Sequence, residues 1–303
     1  MSDATMPANF ADALLAKIAE KGSPVCVGID PVFERLPDEL REDDVIGVEQ
    51  TGMLGEFCYD VLEAVAPVAA AVKIQSAYFE AYGPVGVDLY FNVVEVAQSR
   101  GLLVIGDIKR GDIGSTARAY AQAHMAGPSA PDAITVNGYF GEDGLKPFVD
   151  VAAELGEGVF VLVRTSNPSA AAIQDFAGAD GTKFHEHMAR QVAAMGSAKD
   201  LIGQSGYSCV GAVVAATYPH EARRLREIMP QQLFLVPGYG AQGATAADCA
   251  AAFKPDGTGA IVNASRSVIY AYENEQYKNM KWQGAVKKAA RAFADDIRKA
   301  LRL

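Results

Sequence analysis

Cysteine is scarce and scattered in this 303-residue chain: Cys26, Cys58, Cys209 and Cys249 form no C-x-x-C pair. That argues against a disulfide framework or a thiolate metal site and suits a reducing compartment, so the expected location is cytoplasmic. Only four histidines occur, and the two that are close, His185 and His187, lie two apart in a helical pattern. At that spacing they face different directions and read as surface residues, so no metal site is expected. Positive charge is in deficit, 27 Lys and Arg against 37 Asp and Glu, for a net charge of −10. Such a field repels nucleic-acid phosphate and anionic lipid, so neither partner is expected and any anionic ligand needs a local basic site. The apolar run at 64–72 is far short of the roughly 20 residues of a membrane span. An acid, Asp3, and no Lys or Arg stand before Lys17, where a signal peptide would be basic. The nucleophile elbow G-x-S-x-G, the Walker pattern G-x-x-x-x-G-K-[ST] and H-E-x-x-H are all missing.

What is present is apolar: half the residues are hydrophobic and 21% charged, enough to bury a large core. Short β-branched runs recur at 25–30, 70–75, 102–109, 133–136, 159–164, 210–215, 233–236 and 259–263, separated by helical stretches. Most lack polar alternation, as parallel strands buried on both faces do. Eight β/α units predict a single (β/α)8 TIM barrel over 1–303, with a doubly wound open sheet as the alternative. Asn9 suits an N-cap for an extra helix at about 9–20 that would plug the barrel's N-terminal end. An Ala-, Ser-, Gly- and Pro-rich insertion at about 165–182 would lie at the C-terminal mouth, where barrel active sites form. The spacing of Ala285, Ala289, Phe293, Ile297 and Leu301 marks an amphipathic closing helix whose Lys and Arg face solvent.

Charges stand where a core strand should be apolar. Asp107 and Lys109 are two apart at the end of the third run and, on a strand, would share the inward face; Asp112 follows in the turn. Lys73 interrupts the second run and Asp30 ends the first. An isolated charge there costs several kcal/mol, so these groups should meet, and Lys73, Lys109, Asp107 and Asp112 can form a neutral alternating network. A salt-bridge cluster that merely closes the barrel is the other reading.

Two later loops suit phosphate. Pro237-Gly-Tyr-Gly-Ala-Gln-Gly243 follows the seventh run and Asn263-Ala-Ser-Arg-Ser267 the eighth, where barrels commonly hold phosphate on backbone N–H groups and a helix N-terminus, with Arg266 to donate a charge-assisted pair. Two tight turns with an exposed Arg are the alternative. Residues 238–243 also match G-x-G-x-x-G, but that fingerprint belongs in a first βαβ unit with an acid ending the next strand, and here the next strand ends at Asn263.

With these residues in place, the chain resembles the orotidine 5'-phosphate decarboxylase family, its longer bacterial branch in particular, over nearly its whole length. The family's D-x-K-x-x-D-I signature stands as Asp107, Lys109, Asp112 and Ile113. Val-Gly-Ile-Asp-Pro31, Val-Lys-Ile-Gln75, Arg-Thr-Ser-Asn-Pro168, the 237–243 loop and Ser-Arg-Ser267 follow its other landmarks in order. The resemblance implies decarboxylation of orotidine 5'-phosphate to UMP and CO2 in de novo pyrimidine biosynthesis, without metal or organic cofactor. It assigns ribose hydroxyls to Asp30 and Lys73, a place beside the scissile carboxylate to Asp107, and proton donation to Lys109. Asp112 and Thr116 would enter the neighbouring subunit's site, making a homodimer with shared active sites, and Ile113 would join the substrate-binding set. Ser166 would meet the pyrimidine edge, Gln242 would bridge base and phosphate, and Arg266 with the Ser265 backbone would hold the phosphate. Asn137, at the mouth, is a weaker candidate without an assigned role. Two competitors remain at this level: a related barrel that works on an enediolate with Mg2+, and a silent barrel that only binds nucleotide.

Overall fold

The computed structural model describes residues 9–42 and 45–303; Asp3 lies outside them. Eight strands, β1 (Val25–Ile29), β2 (Ala71–Gln75), β3 (Leu103–Arg110), β4 (Ala133–Val136), β5 (Gly158–Arg164), β6 (Ser208–Val214), β7 (Gln232–Pro237) and β8 (Ala260–Ala264), close in chain order into a barrel. Every pairing is parallel, β8 to β1 included, and each strand overlaps the run from which it was expected. The open-sheet alternative is thereby excluded. β1, β4, β6 and β8 are buried at every position, because a barrel strand packs inward against other strands' side chains and outward against helices.

The covering helices show the apolar stripe read from the sequence. The Val48–Val65 helix buries Leu54, Phe57, Val61, Leu62 and Val65, and the Trp282–Leu301 helix buries Ala285, Ala289, Phe293 and Ile297. Lys287, Lys288 and Arg291 lie on the latter's exposed face. Among the described residues no helix is long and apolar enough to cross a membrane.

A helix at Phe10–Lys21 precedes β1. Asn9 caps it, its side chain accepting the Ala11 N–H at 2.9 Å and donating to the Leu201 carbonyl at 3.0 Å. Phe10 meets the Phe160 ring edge-on with centroids 5.8 Å apart. At the start of β5 a Cβ on Gly158 would fall 2.3 Å from the Phe10 ring, so the absent side chain makes room for that phenyl group at the barrel's N-terminal end. Phe10→Ala removes a fully packed ring and is expected to lower the unfolding free energy by about 3 kcal/mol, read by urea denaturation. A loss under about 1 kcal/mol would mean that the helix is not part of the barrel's core.

Candidate active site

At the C-terminal ends of the strands lies a cavity of about 360 Å³, lined by Asp30 from β1's end, Lys73 and Gln75 of β2, Asp107 and Lys109 of β3, Thr135 of β4, Thr165 and Ser166 after β5, Gly238, Tyr239 and Gln242 after β7, and Asn263, Ser265 and Arg266 at β8. Its centre is a carboxylate. Asp107 is 5% exposed and accepts four hydrogen bonds: Lys73 Nζ at 2.6 Å and Gln75 Nε2 at 3.0 Å on Oδ2, Lys109 Nζ at 2.6 Å and Thr135 Oγ1 at 2.8 Å on Oδ1. Burial alone would favour the protonated acid, but the Lys73 and Lys109 ammonium groups outweigh it and hold the Asp107 carboxyl far below the usual range. Lys73 shows the mirror case: burial opposes its charge, and Asp107 with Asp30 prevails and holds the ammonium above its ordinary value.

Lys109 reaches this position by a departure from regular strand geometry. β3 and β4 pair at Gly106↔Ile134 and next at Arg110↔Val136, so β3 carries extra residues across the same span. Inside the bulge Lys109 has φ 47°, the left-handed region that L side chains rarely adopt. Thr135 stabilises the turn, its Oγ1 accepting the Lys109 N–H at 3.0 Å while donating to Asp107. Both Asp107 and Lys109 line the cavity as expected, though by this bulge rather than by simple alternation along a strand.

The expected network needs one correction. Within the chain Lys73 has Asp30 as its second acid, with Nζ 3.8 Å from Oδ1, and Asp112 does not join. Asp112 lies past the bulge, where its Oδ1 accepts the Ile113 N–H at 2.8 Å; Ile113 and Thr116 are exposed beside it, also outside the cavity. The four grouped charges are therefore Asp30, Lys73, Asp107 and Lys109, still summing to zero.

Opposite this cluster the β7 and β8 loops make a polar rim. Gly238 and Gly240 have φ 117° and 70°, so the backbone follows a path that residues with a Cβ rarely adopt, and the Gly240 N–H donates to the Ala244 carbonyl at 3.0 Å. Tyr239 packs on Phe293 with centroids 4.7 Å apart and donates to Asp296 at 2.8 Å. Arg266 opens the helix whose N-terminus was expected after β8, but that helix is a single turn, Arg266–Ile269, so individual N–H groups and the guanidinium are the main things the loop offers. Three buried atoms on lining residues, Asp30 Oδ1, Asn263 Oδ1 and Ser265 Oγ, have no protein hydrogen-bond partner. Unsatisfied buried polar atoms are rare and costly, and here they suit a hydroxyl-rich ligand.

Sequence reasoning gave no role to Gln75, Thr135 or Asn263, although each is a polar residue inside an apolar strand, the same signal that singled out Lys73. Asn137 is not in the cavity; it caps the turn Gly138–Phe140, accepting the Tyr139 N–H at 3.0 Å. His185, expected at the surface, is buried, its Nδ1 against the Gln174 carbonyl, while His187 is exposed. Asp175, His185 and Glu221 come close enough to hold a cation, but Arg164 and Lys183 already place their charges on both acids.

The model of the Orotidine 5'-phosphate decarboxylase / HUMPS family matches residues 23–279. Relatives named orotidine 5'-phosphate decarboxylase include one from Deinococcus radiodurans, 43% identical with 98% of this chain and 99% of the relative covered. Another, from Rhodopirellula baltica, is 41% identical with 93% and 96% covered. Among solved structures, a Leishmania donovani OMP decarboxylase superposes with TM-score 0.75 at 28% identity, over 97% of this chain and 99% of that one.

Asp107→Asn leaves Lys73 buried without its principal counter-charge and is expected to lower the unfolding free energy by about 3 kcal/mol at neutral pH. Because the folded-state pKa of Asp107 is depressed, its contribution is complete above the ordinary carboxylate range and fades as pH falls below it. Urea unfolding from pH 7 to pH 2 should show the gap between parent and variant constant above about pH 5 and shrinking below about pH 4; a gap that widens in acid would contradict the assignment.

Proposed function

Because the chain belongs to the orotidine 5'-phosphate decarboxylase family and has that family's carboxy-lyase activity in pyrimidine biosynthesis, we propose that Lys109 carries the reaction in the cavity just described. The observation behind this role is the 2.6 Å contact that fixes its ammonium against Asp107 at the cavity wall. When the C6–carboxylate bond of orotidine 5'-phosphate breaks, CO2 leaves and the electron pair stays on C6 as a localised carbanion. A positive charge held beside that carbon stabilises the developing negative charge without reorganising, because Asp107, Thr135 and Lys73 have oriented it in advance. Lys109 then gives a proton to C6, forming UMP, and recovers one from solvent. Repulsion between Asp107 and the substrate carboxylate is a secondary contribution.

The remaining roles follow the cavity's layout. Asp30 and Lys73 take ribose hydroxyls, Asp30 Oδ1 being one of the buried atoms without a hydrogen-bond partner. Arg266, the Ser265 backbone and Gln242 take the phosphate, and Ser166 the pyrimidine edge. Phosphate contacts are remote from C6, so their binding energy serves to place the reacting end. Chemistry of this kind rests on lysine charge and needs neither metal nor organic cofactor.

We further read the protein as a cytoplasmic homodimer of the family's longer bacterial branch. All four cysteines are free and buried, as suits a reducing compartment, and the net charge of −10 disfavours nucleic acid and anionic membrane. Asp112, Ile113 and Thr116 lie outside their own chain's cavity, next to exposed aromatic surface: Tyr139 is 74% exposed, and Phe140, 47% exposed, comes close to the residue 112 backbone across Gly144. A second subunit covering that surface would bring Asp112 and Thr116 to the partner's Lys109.

EDTA-treated protein is expected to consume orotidine 5'-phosphate at the full rate, followed by its ultraviolet absorbance. Dependence on added Mg2+, or turnover of keto-sugar phosphates, would reassign the cavity to enediolate chemistry. Lys109→Ala and Asp112→Ala should each be nearly inactive. Mixed one to one and allowed to exchange subunits, they should regain about a quarter of the parental rate, since half the dimers are mixed and each mixed dimer has one intact site. No regain would refute the shared site.

A further inference from the structure

The segment after β5 is tied to the cavity through one side chain. Gln174 ends the short helix Ala171–Gln174, half-buried and outside the cavity, and its amide grips Thr165 twice: Oε1 accepts the Thr165 N–H at 3.0 Å and Nε2 donates to Thr165 Oγ1 at 2.7 Å. Thr165 and its neighbour Ser166 both line the cavity. Gln174 is itself held from two sides. Buried Arg164, anchored to Glu221 at 2.6 Å, donates to its Oε1 at 3.3 Å, and His185 Nδ1 lies 2.8 Å from its backbone carbonyl. A carbonyl only accepts, so His185 carries the proton on Nδ1.

A side-chain amide bonded to both the backbone and the hydroxyl of one residue restricts that residue's rotation and hence where the next side chain points. We propose that Gln174 is a positioning residue for base recognition: by fixing Thr165 it holds Ser166 against the pyrimidine edge, and this is what the segment after β5 contributes to the reaction. The inference rests on the assignment of Ser166 to the base. Ribose and phosphate groups fall to β1, β2 and the β7 and β8 loops, none of which Gln174 touches, so loosening Gln174 should weaken contacts to the base alone.

The full-length protein is titrated by calorimetry with UMP and with ribose 5-phosphate, which lacks the base. Gln174→Met keeps chain length and removes both hydrogen bonds; it is expected to weaken UMP about tenfold and ribose 5-phosphate less than about twofold. Gln174→Glu keeps an acceptor for the Thr165 N–H and for Arg164, and should return UMP to within about threefold of the parent. Equal weakening of both ligands by Gln174→Met, or weakening of neither, overturns the proposal. Ser166→Ala separates the two levels: a loss confined to UMP there with none in Gln174→Met sinks this inference alone, whereas no such loss in Ser166→Ala sinks the reading on which it rests.

Discussion

Asp107 accepts hydrogen bonds from Lys73, Gln75, Lys109 and Thr135 in a position almost closed to solvent. A lone carboxylate there would cost several kcal/mol and would protonate instead. It stays ionised because three strands, β2, β3 and β4, each deliver a donor to the same place, which only a closed sheet with fixed register can do. The same closure governs the lysines. Neither would sit at the rim as an oriented cation without the acid, and the Thr135 hydroxyl and the Gln75 amide would lose the acceptor they share. The barrel thus converts a destabilising set of buried charges into a rigid one, and rigidity is what a reaction driven by charge placement requires.

The bulge in β3 is the geometric counterpart of that charge cluster. A left-handed backbone at a lysine costs on the order of 1–2 kcal/mol, and it persists because Thr135 takes the freed N–H and Asp107 takes the ammonium. Stability and chemistry meet at Thr135, whose single hydroxyl accepts from the Lys109 backbone and donates to the carboxylate that holds the Lys109 side chain. Farther around the rim, the glycine turns after β7 line the cavity, while the segment after β5 is braced by Arg164 and Gln174 from behind. The charge cluster, the glycine turns and the braced segment are therefore separate elements that share only the barrel as a frame.

Much of this was legible in the residues. Buried parallel strands demand continuous β-branched runs, so eight such runs separated by amphipathic stretches announced the barrel, and the charges inside or ending them marked residues that line the cavity. What stayed hidden depends on contacts between elements. Nothing local to Lys109 signals a positive φ, since the bulge arises from how β3 registers against β4. Asp112 is as near to Lys109 in sequence as a network partner should be, yet the chain leaves the strand before it, and the acid that completes the set within the chain, Asp30, comes from the end of β1, far away in sequence but next to β2 in the barrel. His185 and His187 look alike in the sequence; only packing against the segment after β5 buries one and leaves the other in solvent. Thr135, Gln75 and Asn263 were within reach of the rule that found Lys73, but hydroxyl and amide groups in a strand are tolerated so often that they draw attention only once their partners are known.

The central claim is that the Lys109 ammonium and the C6 carbon exchange a proton, and it is tested most directly by running that step backward on bound UMP. Incubated with saturating UMP in D2O and followed by proton NMR, the parent protein should replace the C6 hydrogen with deuterium. Lys109→Ala, confirmed to bind UMP, should not do so measurably. Exchange at the parental rate in that variant would show that another group moves the proton and would contradict the account.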